Sequence, residues 1–211
     1  MAHTAYPVTA DVSAVLTAAG QSVGTVDVAA ILAATIAEWE LVTGWRPFLA
    51  EATASTRYYD YPRNGYLLLP GYATITGVTT GVTYNQTTGA VIAGTAIVEN
   101  VDYRPVYWRN GDTTSPIVAL QFLRYVGGAA YRSISVTGKL GYTTDIPNDA
   151  WQALLDGAAA RAYGSTSMAN NDGISKMSIG GRTIEFNGAD ATTWNDSFSS
   201  VAMAYKRGGI V

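Results

Sequence analysis

The chain has 211 residues, enough for one large domain with a sizeable core; 48% of them are apolar and only 14% charged, against roughly 25% charged in ordinary soluble domains. Net charge is −3 and there are no cysteines, which excludes disulfides, thiolate nucleophiles and cysteine-held metals. No clustered basic stripe is present, so tight nucleic-acid binding is disfavoured.

Low charge combined with fourteen tyrosines and five tryptophans suits surfaces covered by other proteins, and equally suits a strand-rich domain. Charge is uneven along the chain. Residues 1–54 carry Asp11, Asp27, Glu38, Glu40 and Glu51 against Arg46 alone, residues 55–145 are net +2, and residues 146–211 are net −1. The start, Met1-Ala2-His3-Thr4, lacks the basic region and apolar core of a signal peptide. No apolar run approaches the roughly 20 residues of a membrane span. The expectation is a soluble protein made in the cytoplasm, with no membrane partner.

Both ends of the chain have helical spacing. Asp11 to Ala19 predicts a short helix with Val12, Val15 and Leu16 on one face, closed by Gly20. From Val26 to Val42, the residues Val28, Ile31, Leu32, Ile36, Trp39 and Val42 recur at helical intervals. Thr25 is the candidate N-cap, Asp27 complements the helix dipole, and Gly44 stops the helix.

The period then changes to two. Thr56–Arg63 and Tyr66–Leu69 flank Asn64-Gly65, the favoured dipeptide of a two-residue hairpin, with Pro62 confining its strand to an edge or ending it. Ala73–Tyr84, Val91–Val98 and Asp102–Trp108 are further candidate strands, and Asn110-Gly111 marks a second hairpin. Ile117–Tyr125 and Ser133–Tyr142 read as a strand pair joined through Gly127-Gly128. A helix opens at Pro147, with Trp151, Leu154, Leu155, Ala158 and Ala162 on one face. Ser165–Gly173 reads as a small-residue loop. Met177 and Ile179 alternate against Ile184 and Phe186 across Gly180-Gly181, a short hairpin. Ala191–Tyr205 forms a last helix, presenting Trp194, Phe198, Val201 and Tyr205 and ended by Gly208-Gly209. The expected class is α+β: a bundle of N- and C-terminal helices with a central antiparallel β region, residues 1–211 forming one domain (helices in 9–54, β region in 55–145, helices and hairpin in 146–211).

Reactive chemistry is scarce. The one histidine, His3, lies in a segment expected to fray, so no catalytic triad or dyad is available. Asp60, Glu99, Asp102, Asp112 and Asp145 are the candidates for a carboxylate pair, but most adjoin turns, where Asp serves local hydrogen bonds. No acidic cluster has a cation-loop pattern. Gly77, Gly81 and Gly89 lack the strand-to-helix context of a phosphate loop. The expectation is no catalytic residue, metal or cofactor. Tyr58, Tyr59, Tyr61, Tyr66 and Tyr72 gather near the first hairpin signal, and Tyr103, Tyr107 and Trp108 near the second. Such rings stack sugars or bases, pack across strands, or bury against another subunit.

Several segments in order carry a resemblance. Val42-Thr43-Gly44-Trp45-Arg46-Pro47-Phe48 follows the second helix; Tyr66-Leu67-Leu68-Leu69-Pro70 and Ile75-Thr76-Gly77-Val78 open the β region. Val101-Asp102-Tyr103 and Val136-Thr137-Gly138-Lys139-Leu140-Gly141-Tyr142 come next. Ile146-Pro147-Asn148-Asp149 then opens a helix through Ala158-Ala159-Ala160-Arg161-Ala162-Tyr163. In this order, across residues 9 to 165, the chain resembles the head–tail connector, or head-completion adaptor, proteins of tailed bacteriophages. The β middle is longer than in the leanest, mostly helical members.

The resemblance implies a structural protein of the virion neck: a ring, usually of twelve copies, beneath the portal. Such a ring extends the channel that DNA crosses without tight binding, and provides the platform for the tail or a tail-completion protein. The acidic segment 1–54 would lie at or near the channel lining. It also implies a terminal segment that engages the portal, for which Tyr205, Lys206, Arg207, Ile210 and Val211 are the candidates. Tyr59, Tyr61, Tyr66, Tyr107, Trp108 and Arg109 are the candidates for the subunit or tail interface. Another neck or tail-completion subunit, a tail-tube protein and a carbohydrate-binding β module are the alternatives.

Overall fold

In the computed structural model, which describes residues 2–18, 26–85, 87–92, 94–125, 131–170, 176–179, 182–185 and 196–207, the chain is α+β, with helices at its two ends and an antiparallel sheet between them. The chain forms two compact units: Arg46–Thr144 is one, and the flanking Met1–Trp45 and Asp145–Val211 together make the other. The β unit is thus a continuous insertion, in which residues 46–54 precede the first strand at Ser55.

In the helical unit, α1 (Thr9–Ala18), α2 (Val28–Thr43) and α4 (Asp196–Ala204) each pack on α3 (Asn148–Asn170). Each helix supplies an apolar stripe, and burying those stripes together is what stabilises it. One cluster joins Val12 and Leu16 of α1, Val28 and Leu32 of α2, and Leu155, Ala158, Ala159, Ala162 and Tyr163 of α3. Trp39 is fully buried, edge-on to Phe198 at 5.4 Å and 6.0 Å from Tyr205. Gly157 makes this approach possible. A methyl group there would stand 3.0 Å from the Phe198 ring and 3.4 Å from Thr35.

The end of α2 is closed by several groups. Gly44 takes the left-handed conformation (φ 75°) and donates its N–H to Glu40, as expected of a C-terminal glycine. The Thr43 hydroxyl donates back to the Trp39 carbonyl at 2.8 Å, and the Arg207 N–H reaches the Thr43 carbonyl at 2.7 Å. The start of the helix differs from expectation. Asp27, not Thr25, is the N-cap, accepting the Ala30 N–H at 3.0 Å, because a carboxylate satisfies an orphan donor directly as well as the dipole. Thr25 lies outside the described residues.

Two further expectations for this unit are corrected. His3 is not frayed: it exchanges backbone hydrogen bonds with Ile146 (2.9 and 2.7 Å), and its ring stacks on Trp151 at 4.1 Å. Helix α3 does not stop before Ser165 but continues to Asn170. No proline interrupts it, and serine or threonine costs a helix only tenths of a kcal/mol per residue. The short hairpin is present, with β9 (Lys176–Ile179) antiparallel to β10 (Arg182–Glu185) and Ile179 opposite Arg182. Trp194 and Phe186 lie outside the described residues.

The β unit is organised on one long strand. β2 (Tyr66–Thr80) pairs through its first half with β7 (Ile117–Phe122) and through its second half with β8 (Ile134–Leu140). The change of partner falls at Pro70-Gly71, where the register shifts, the kind of position at which a strand tolerates a residue without an N–H. β1 (Ser55–Tyr59) adds to β8, β6 (Tyr103–Tyr107) to β7, and β5 (Thr95–Ile97) to the end of β2. β3 (Thr83–Tyr84) and β4 (Val91–Ile92) form a separate small ladder. The core holds Leu67, Leu69, Tyr72, Val78, Tyr103, Leu120, Phe122, Ile134 and Val136.

Two strand pairings expected from local signals do not form. Gly65 has the positive φ (75°) of a turn, yet β1 pairs with β8 and β2 with β7. The dipeptide sets a local bend only; Pro62 removes a donor from one arm, and burial decides which strands meet. Likewise β7 and β8 do not pair with each other. Both pair with β2, which lies between them.

Trp39→Ala is expected to lower stability by about 3–5 kcal/mol, as for other fully buried large side chains, measured by urea unfolding. A loss under about 1 kcal/mol would mean that the helical unit does not depend on this contact.

Candidate interaction surfaces

The six tyrosine-rich candidates fall into four settings. Tyr59 belongs to a network within the β unit. Its hydroxyl meets that of Tyr72 at 2.8 Å; burial first, then this hydrogen bond, pushes its ionisation well above the ordinary phenol range. The Arg57 guanidinium lies 6.0 Å from the Tyr72 ring, donates to Ser55 at 2.6 Å, and grips both oxygens of Glu51 at 2.5 and 3.2 Å. The Arg57 hydrogen bonds pull the Glu51 carboxyl down from 4.5 to about 2, against the opposing effect of burial. Tyr59 is therefore half-buried and its hydroxyl engaged.

Tyr61 packs on Phe122 and Tyr125, each 5.6 Å away. The three rings, with Arg63, Leu123 and Arg124, line an open depression of about 360 Å³. Tyr107 ends β6, and Trp108 and Arg109 follow it. Trp108 meets Tyr142 edge-on at 5.7 Å, and the Arg109 guanidinium covers its ring at 4.9 Å. The following loop is tied internally: Asp112 accepts from Thr114 N–H at 2.9 Å and its hydroxyl at 2.6 Å, while Ser115 accepts the Arg109 N–H at 3.1 Å.

Tyr66 stands in the fourth setting, the outer face of the sheet. The register sets Arg104, Gln121 and Tyr66 in one row across β6, β7 and β2, with Val106, Ala119 and Leu68 in the next row on that face. Leu68 is 62% exposed and Tyr66 43%, whereas Leu67 and Leu69 on the other face are 6% and 2% exposed.

Leu68 is the residue that sequence reasoning missed. Its signal was present, since three consecutive leucines in a strand must turn one of them to the opposite face. Leu41, 62% exposed on α2, was missed for a similar reason: helical spacing identifies the inner stripe and leaves the outer face unread.

Three of the five candidate carboxylates, Asp60, Asp102 and Asp112, accept backbone N–H groups. Asp60 accepts the Arg132 N–H at 2.7 Å. Asp102 is buried, accepts the Val98 N–H at 2.8 Å and pairs with Arg124; the Val98 bond first, then Arg124, holds its carboxyl below the usual range. Asp112 is likewise lowered, chiefly by Thr114. Among the described residues no group of three His, Asp or Glu side chains is placed to hold a metal ion. No helix there is long and apolar enough to cross a membrane.

At the C-terminus, Tyr205 belongs to the folded helical unit and not to a free arm. Its ring is buried, its hydroxyl donates to Asp149 at 2.8 Å, and its carbonyl accepts the Trp45 indole N–H at 2.9 Å. The Arg207 guanidinium lies 5.0 Å over the Trp45 ring. Lys206 is exposed. Ile210 and Val211 lie outside the described residues.

No protein-family model matches the chain, and no curated protein matches it. Solved structures similar to it include a chain from "Neck of native GTA particle computed with C12 symmetry", at 16% identity and TM-score 0.48, covering 100% of this chain and 97% of that one. A chain from "Neck of empty GTA particle computed with C6 symmetry" has 16% identity, TM-score 0.49 and the same coverage.

The lowered Glu51 carboxyl has a consequence for acid stability. Because its folded pKa lies below the unfolded value, it stabilises the fold fully above pH 4.5, and that contribution fades as pH falls towards about 2. Glu51→Gln is expected to cost about 1 kcal/mol at neutral pH, given partial screening by water, and much less at about pH 2. Unfolding titrations that show an equal loss at both pH values would contradict this role.

Proposed function

We propose that the chain is a structural subunit of the neck of a tailed, phage-like particle. It acts as an adaptor whose copies form a ring beneath the portal, extend the DNA channel and carry the tail or a tail-completion protein. The observation that supports this most is where the connector-like segments fall. Val42–Phe48 contains the point at which the chain leaves the helical unit, and the point at which it returns, after Thr144, falls between Val136–Tyr142 and Ile146–Asp149. These motifs thus contain or flank the junctions between the two units, which supports reading them together. Exposed Leu41, Leu68, Val98 and Val101 add apolar surface of the kind that other subunits cover. The depression beside Tyr61 favours carbohydrate less, because Tyr61 and Tyr125 meet edge to face at 67° instead of offering an open stacking platform.

Inactivating the gene in its particle-producing host is expected to leave heads and tails that fail to join, seen by electron microscopy. Tailed particles at normal yield would contradict the neck assignment.

The portal-engaging arm is reduced to Lys206 and the residues beyond Arg207, since Tyr205 and Arg207 are committed to the helical unit. Deleting residues 208–211 is expected to leave urea unfolding unchanged and weaken portal binding at least tenfold. Unchanged portal affinity in a folded truncation would rule the arm out.

A further inference from the structure

The two units carry opposite charge. Arg46–Thr144 has eight basic and five acidic side chains, net +3, whereas the remainder has five basic and eleven acidic, net −6. On the β unit, the two outer rows described above expose Leu68, Tyr66 and Arg104, with Val106 and Gln121 half-buried and Ala119 buried between them. Arg104 and Arg63 are exposed, and neither belongs to the three ion pairs among the described residues, which use Arg57, Arg124 and Arg161. On the helical unit, Leu41 is exposed on α2, three residues after Glu38, whose carboxylate is already paired with Arg161, so the acidic character there is that of the unit as a whole.

We propose that the outer face of β2, β7 and β6, centred on Leu68, docks on the acidic helical unit of a second copy of this chain. The proposal deepens the ring reading above by naming which surfaces meet. An apolar centre with a charged rim is the ordinary anatomy of a protein interface. Pairing this face with itself would bring together two units of net +3, a like-charge approach that costs free energy. Pairing it with the helical unit of another copy opposes net +3 to net −6. The contact is therefore head-to-tail, the type that repeats from copy to copy until it closes. Three strands about 10 Å across, two residue rows deep at about 7 Å, offer on the order of 100 Å², far less than the roughly 800 Å² per partner of a stable interface. The face is thus the centre of a larger contact, and free copies associate weakly and more weakly in salt.

The test places the photo-crosslinking amino acid benzoylphenylalanine at position 68 of the full chain. A mixture of ¹⁴N- and ¹⁵N-labelled copies is irradiated at low salt, and mixed-isotope adducts are mapped by mass spectrometry. Adducts are expected in residues 1–45 or 145–211 of the other copy. Their yield should fall at least tenfold with Arg104→Glu, and fall again when salt is raised from about 50 to about 500 mM. The same amino acid at Val101, also exposed but outside the two rows, should give at most a tenth of the yield. No mixed adduct, adducts mapping to residues 46–144, or a yield indifferent to Arg104→Glu would each overturn the proposal. A gene inactivation that leaves unjoined heads and tails, together with no adduct at position 68, would remove this interface and retain the neck assignment. Adducts in the expected segments alongside normal tailed particles would do the reverse.

Discussion

The β unit depends on its two ends being held together. The chain enters at Arg46 and leaves at Thr144, so everything between is a loop that must close where it began. Closure is made by Phe48 and Tyr142, whose rings stack 4.8 Å apart and 10° from parallel. The Tyr142 N–H donates to the Phe48 carbonyl at 3.0 Å, and Leu49 pairs with Thr143. With both ends pinned, a long insertion needs no separate anchoring, and the sheet is free to be built around β2. The helical unit has a corresponding constraint: its own sequence is split, so α2 and the C-terminal segment meet only through tertiary contacts. Trp45 and Arg207 supply them, by the indole bond to Tyr205 and the guanidinium over the indole ring.

This arrangement explains why surface, rather than a cleft, is the feature of interest. Several carboxylates serve the fold: Asp60 and Asp112 fix backbone, Asp102 caps a turn, and Glu51 clamps Arg57. Large apolar side chains such as Leu41, Leu68, Val98 and Val101 remain exposed. In the function proposed above, these are surfaces that other subunits cover.

Much of the helical unit was legible in the sequence, and the β unit was legible in its strands but not in their pairing. Helical spacing depends on neighbours three and four residues away, so Val28 to Thr43 and the stretch after Pro147 declared themselves. Strand pairing is a long-range choice: Asn64-Gly65 marks a true turn, but whether its flanks pair depends on β8, some seventy residues later. The same limit applied to the interface candidates. Tyr59 and Tyr66 look alike in a tyrosine-rich segment, and only the register separates the one whose hydroxyl is engaged inside from the one that faces out. His3 was misread because its partner, Ile146, is remote in sequence.

The neck assignment is tested most directly by where the chain sits in an intact particle. Fusing a small folded tag to its N-terminus and comparing averaged cryo-electron-microscopy maps with and without the tag would locate it. The account predicts extra density in a ring between the capsid vertex and the tail. Extra density on the capsid faces or at the tail tip, or a particle that incorporates none of the tagged chain although it folds, would contradict it.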